Sequence, residues 1–252
     1  MADNSILKNN LVSFRQKFRD FTDNYTVIGG TACMILMDEA GRNFRATKDV
    51  DMILIMEDGG KDFGQVFWDY IIEGQYTCGW KGSEPHYYRF TDPIHGYPGQ
   101  IELFSKRSDF IVDSRIIPIH IEDDISSLSA IALDKDFYDF MKGGRRIVDG
   151  ISILGAEFII PFKMYAWLNN IEKRQRGEHV NEDDIKKHKN DVFRLLPLTN
   201  PDVKVPTRGN VKNAVKSFLE AMKDEPIAKE FLSGGRTKTE SLEIIKKLYL
   251  EN

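Results

Sequence analysis

The sequence predicts an α/β (α+β) protein: a mixed sheet of about five strands with flanking helices over residues 1–155, then a helical domain over residues 156–252. Three observations carry this reading. A β-prone run, Tyr25-Thr26-Val27-Ile28, breaks on Gly29-Gly30 and passes into a segment whose apolar residues Ala32, Ile35, Leu36 and Ala40 have helical spacing. A second strand-like run, Asp49 to Ile55, follows about twenty residues later. From Ala156 onward the apolar periodicity is almost exclusively helical.

Taken in order, Leu7, Leu11, Phe14, Phe18 and Phe21 recur at steps of four and three, which predicts an amphipathic helix over residues 5–21. Residues 41–48 form a loop carrying Arg42, Arg45 and Lys48. Asp58-Gly59-Gly60 reads as a turn, and Phe63, Val66, Phe67, Tyr70 and Ile71 mark a helix after it. Residues 86–91, 100–105 and 116–121 read as strands, the last with Pro118 and therefore at a sheet edge. A helix is expected from about Ile125 to Met141, closed by Gly143-Gly144. Val148-Asp149-Gly150 and the apolar residues after it suggest a strand pair or a strand and turn. Helices are then expected over 157–175, 182–196, 208–223 and 238–250, with a proline-rich loop at 197–207. Pro161 suits only the first turn of its helix.

Composition narrows the class. The 252 residues are 41% hydrophobic and 29% charged, ordinary values for a globular protein with a substantial core. No apolar run reaches the ~18 residues of a membrane span, and the first residues lack a signal-peptide core, so a cytoplasmic protein without a membrane partner is expected. The net charge of -4 argues against a protein that coats nucleic acid non-specifically. Two cysteines and five scattered histidines give no zinc spacing, and Cys33 reads as a small core residue.

The chemistry concentrates between Tyr25 and Ile55. Two glycines at a strand-to-helix turn let the backbone approach a bulky ligand, and the first helix amides favour an anion such as phosphate. Asp49 and Asp51 fall on one face at the start of a strand, roughly 6–7 Å apart. A phosphate cradle followed by paired hard-oxygen ligands is what a metal-bound nucleoside triphosphate needs. Each feature alone has a plainer reading: Gly-Gly as a tight turn, Asp-x-Asp as a solvated strand end, and the lysine clusters near 173–176 and 186–189 as solvated helix faces.

Strand, Gly29-Gly30-Thr31, helix, and then Asp49-x-Asp51 on the next strand resembles the polymerase-β-like nucleotidyltransferase superfamily. The resemblance implies a nucleotidyltransferase-like sheet, NTP as substrate and one or two Mg²⁺ ions as cofactor. It also implies a third carboxylate in a hydrophobic-acid-hydrophobic triplet, which Ile101-Glu102-Leu103 matches. The second half is similar to the AbiEii-like branch, which includes toxins of abortive-infection systems, through Val148-Asp149-Gly150, Lys163 and the run Lys187 to Leu195. Position 188 departs from that pattern with a His where many relatives carry an acid. On this resemblance Asp49, Asp51 and Glu102 are catalytic and metal-binding, while Gly29, Gly30, Thr31, Lys163 and Asp191 bind nucleotide in a cleft between the two halves. The acceptor is an RNA, a protein or a small molecule, and an antitoxin is the expected partner. A non-catalytic nucleotide- or partner-binding module of the same fold is the main alternative. Asp-x-Asp glycosyltransferases and aspartate-nucleophile phosphatases rank lower, since neither requires the upstream Gly-Gly-Thr.

Overall fold

A computed structural model describes residues 4–56, 60–81, 84–106, 116–119 and 128–251. The chain divides into two compact units, one of Met1–Tyr138 with Arg145–Leu154, the other of Asp139–Gly144 with Gly155–Asn252.

The first unit is a mixed sheet with helices. Helix α1 (Asn4–Phe18) ends in a short 3-10 turn and leads into β1 (Tyr25–Ile28), whose four residues are all buried. A strand with both faces covered reads as a continuous apolar run, as this one does. Then follow α2 (Gly29–Glu39), β2 (Asp49–Leu54), α3 (Gly60–Glu73), β3 (Thr77–Lys81), β4 (Glu84–Thr91), β5 (Gln100–Lys106), β6 (Ile116–Ile119) and β7 (Leu128–Leu133). Helix α4 (Lys135–Lys142) precedes the hairpin of β8 (Arg145–Val148) and β9 (Ile151–Leu154). The strand order is β3-β4-β5-β2-β1-β9-β8, and β7 joins through β5 with β6 on its other edge. β2 runs antiparallel to β1 and parallel to β5.

Aromatic rings hold the outer helices to this sheet. Phe14 and Phe18 of α1 lie against Tyr25, and Phe18 also meets Phe63, Phe67 and Tyr70 of α3, with centroids 4.7 to 6.2 Å apart across the cluster. Each such ring, fully buried, stabilises the fold by about 1.5–3 kcal/mol. The Ser13 hydroxyl donates to the Gly96 carbonyl at 2.8 Å and ties α1 to the loop before β5. Cys33 is a buried core residue, as its apolar surroundings in the sequence predict.

Two expectations are corrected. Among the described residues the sheet has nine strands, where about five were expected; β3 and β7 add to those expected, and the strand pair suggested around Val148-Asp149-Gly150 is the β8–β9 hairpin. The helix expected from Ile125 to Met141 is strand β7 followed by the shorter α4. Leu128-Ser129-Ala130-Ile131-Ala132-Leu133 is a short apolar run, and period alone cannot separate a buried strand from a buried helix segment. Asp134 marks the change, its Oδ1 accepting from the Asp136 amide at 2.9 Å as α4 begins. Asp58 and Gly59 of the expected turn, and residues 120–121 and 125–127, lie outside the described residues; Gly60 opens α3. Among the described residues β6 pairs with β7 alone, which is the edge position expected of Pro118. The β8–β9 hairpin turns on Asp149 and Gly150, at φ 49° and 75°. Positive φ at both central residues is what a two-residue type I′ turn requires.

The second unit is helical: α5 (Ala156–Gln175), α6 (Glu182–Leu195), α7 (Gly209–Ala221) and α8 (Lys238–Tyr249). Trp167 of α5 packs edge-on against Phe218 of α7 at 5.3 Å. Pro161 sits inside α5, beyond the first turn, and cannot donate to the Glu157 carbonyl four residues back. The Tyr249 hydroxyl fills that acceptor at 2.6 Å, so α8 repairs the break that proline makes in α5. Among the described residues no helix is long and apolar enough to cross a membrane.

Candidate active site

The site begins where β1 becomes α2. Ile28 precedes the helix and has no polar side chain to cap it, which leaves the first amides to other acceptors. Gly29 has φ +68°, a left-handed conformation that side chains disfavour. A Cβ on Gly29 would lie 1.9 Å from Asp51 Oδ2, so the absent side chain is what lets the Asp51 carboxylate lie over the turn. A Cβ on Gly30 would come 2.9 Å from Thr47 Oγ1 and 3.6 Å from Arg45 Nη1. The basic loop between α2 and β2 thus folds back on the Gly-Gly turn and brings a guanidinium beside it.

Thr31 links the turn to β2. It is buried, and its hydroxyl donates to the Asp49 carbonyl at 2.5 Å. The hydroxyl pins the first turn of α2 to the start of β2, and so positions Asp49 through the backbone.

The three carboxylates come together through sheet register. Asp51 is directly opposite Glu102 on the parallel pair β2–β5, and Asp49 is opposite Gln100. Gly99 donates its amide to the Lys48 carbonyl at 2.8 Å and fixes that alignment at the strand starts. Opposed residues share a face, so Asp49, Asp51 and Glu102 lie on one side of the sheet. Glu102 is flanked on its other side by Arg89, opposite it on the antiparallel pair β4–β5. Arg89 Nε donates to Glu102 Oε1 at 2.5 Å, and Nη2 reaches the same oxygen. One row across three strands therefore reads Asp51, Glu102, Arg89, with Asp49, Gln100 and Thr91 in the next. Sequence reasoning missed Arg89; its only signal was a lone cation in the apolar and aromatic run of β4.

The donor chemistry suits a hard divalent cation, because all three candidates are carboxylates. Among the described residues no three acidic, histidine or cysteine side chains already converge as a ligand set. The Arg89 contact accounts for this at Glu102, whose carboxylate is turned onto the guanidinium.

Lys163 and Asp191 belong to the helical unit. They form an ion pair of 3.0 Å, with side chains only 5% and 0% exposed. Asp191 is thus sealed against Lys163, and its influence on any ligand passes through that ammonium. His188, one turn before Asp191, has its pKa lowered to about 3, first by burial and then by the charges of Lys163 and Lys187. It stays neutral at physiological pH. Lys189 is likewise buried and bonds Glu225 at 2.6 Å and the Pro226 carbonyl at 2.8 Å, which removes it from the solvated cluster expected there.

No family model matches the chain, and no curated protein matches it. Among solved structures it is similar to the solution structure of the antibiotic-resistance factor ANT(2'')-Ia, at 12% identity over 85% of this chain and 92% of that one. The TM-score is 0.38, too loose a likeness to bear on the fold or the site.

Proposed function

We propose that this chain is a nucleotidyltransferase, which moves a nucleoside monophosphate from an NTP to an acceptor hydroxyl and releases pyrophosphate. The observation that supports it best is the register of Asp51 against Glu102 beside a Gly29 turn with no room for a side chain. Asp49, Asp51 and Glu102 would hold Mg²⁺, which when bound supplies positive charge against the triphosphate and the leaving pyrophosphate. Amides of Gly29, Gly30 and Thr31 would bind the phosphates at the start of α2, with the Arg45 guanidinium adding charge from the side. The acceptor oxygen forms a bond to the α-phosphorus while the bond to the α,β-bridging oxygen breaks. Glu102 takes the acceptor's proton as general base.

The AbiEii-like pattern extends the proposal to a toxin of a phage-defence or toxin–antitoxin system, restrained by an antitoxin. The acceptor remains within three classes: RNA, protein or small molecule. A second reading, a non-catalytic nucleotide- or partner-binding module, has one observation in its favour: Arg89 already occupies Glu102.

The test is incubation with each α-labelled NTP, Mg²⁺, total RNA and cell protein. Label on one acceptor class, with pyrophosphate released, is the expected result. NTP binding with no pyrophosphate from any nucleotide would establish the non-catalytic reading instead.

A further inference from the structure

We infer that Arg89 is a positioning residue that holds Glu102 in the metal-free protein and is exchanged for a divalent cation when the site is loaded. The inference rests on the metal-site reading above and adds a competitor to it. Asp51 and Glu102 are opposite one another on adjacent strands, and like charges so placed repel. Arg89, opposite Glu102 on its far side, supplies the compensating charge. Both Nε and Nη2 converge on the single oxygen Oε1, so the guanidinium claims part of the same lone-pair set a cation would use.

Exposure makes the exchange feasible. The Glu102 side chain is 12% exposed, whereas Arg89 is 49% exposed. The guanidinium therefore keeps much of its hydration and can swing into water, while the carboxylate stays on the sheet. A contact of this kind is weak enough to break, unlike a sealed pair. Asp49, Asp51 and Glu102 outnumber Arg89 and the Arg45 guanidinium beside the turn, so the face keeps a net negative charge. Removing Arg89 raises the attraction for a cation and frees the oxygen it must bind.

Mn²⁺ is the probe, titrated by electron paramagnetic resonance into nucleotide-free protein. Wild type, Arg89→Gln, Arg89→Lys, Glu102→Gln, the Arg89→Gln/Glu102→Gln double variant and the Asp49→Asn/Asp51→Asn pair are compared. Arg89→Gln should bind Mn²⁺ about tenfold more tightly than wild type, the scale of one unit charge removed at close range. Arg89→Lys should stay near wild type, and in the Glu102→Gln background the Arg89→Gln gain should vanish. A merely structural arginine would not give a gain that depends on Glu102. If wild-type binding needs Asp49 and Asp51 but Arg89→Gln leaves affinity unchanged or weaker, the exchange is wrong while the metal site stands. If no variant, including the Asp49→Asn/Asp51→Asn pair, differs from wild type, the metal-site reading fails and the exchange fails with it.

Discussion

The two units of this chain each hold acidic and basic side chains in contact, and they use them in opposite ways. In the sheet unit, Asp51, Glu102 and Arg89 stand in a row on one face, with the arginine half in water. In the helical unit, Lys163 and Asp191 are sealed away, beside a histidine held neutral. A charge pair that reaches water is cheap to open, and one without water is not. The row on the sheet can therefore change partners, which the proposed metal loading requires. The pair in the helices is fixed, and it specifies how α5 and α6 meet.

The comparison is broken most forcefully at Asp191. Asp191→Ala leaves the Lys163 ammonium buried without its carboxylate and should cost about 3–5 kcal/mol, read from urea unfolding. Lys163→Met together with Asp191→Leu should recover most of that loss. A cost for Asp191→Ala below about 1 kcal/mol would put this pair in the same class as a surface ion pair.

His188 sharpens the same contrast through pH. Its folded pKa is lowered to about 3, below the ordinary value near 6.5, so the unfolded chain binds more protons between those limits. The stabilisation is complete above about pH 6.5 and is lost as pH falls toward 3. Unfolding free energy should drop by about 2 kcal/mol between pH 7 and pH 5 from this group. His188→Gln should remove that part of the slope; an unchanged slope would mean the imidazole is not desolvated.

A smaller effect separates Gly29 from an ordinary turn glycine. Gly29 and Gly41 both have positive φ, +68° and +65°, but a Cβ on Gly41 meets nothing within 4 Å. Gly41→Ala should cost about 1 kcal/mol from backbone strain alone. Gly29→Ala should cost about 1–2 kcal/mol and in addition displace Asp51, weakening NTP affinity measured by calorimetry. Equal affinities in the two variants would detach Asp51 from the turn.

What was legible in the sequence was local. The Gly29-Gly30 turn, the alternation of Asp49 and Asp51, and the long helices after Ala156 follow from turn chemistry and period within a few residues. The partnership of Asp51 with Glu102 was conditional on β2 lying beside β5, a pairing no local pattern states. Arg89 was not legible, since its meaning comes from strand register across β4 and β5. Tyr249 completing the backbone at Glu157 joins residues 92 apart, and only the folded chain brings them together. Thr31 was read as a phosphate ligand because its family position suggests one, while its burial and its bond to Asp49 are tertiary facts.

The central claim is that the carboxylates on this sheet face act as one site on a metal-bound NTP. The most direct measurement is Mg²⁺-dependent pyrophosphate release from NTP by wild type and by Asp49→Asn/Asp51→Asn, with unfolding midpoints measured alongside. The account predicts release by the wild type and a fall of about 10²-fold or more in the double variant at an unchanged midpoint, the loss expected when the ligands of a catalytic metal are removed. Equal release by a fully folded double variant would contradict it.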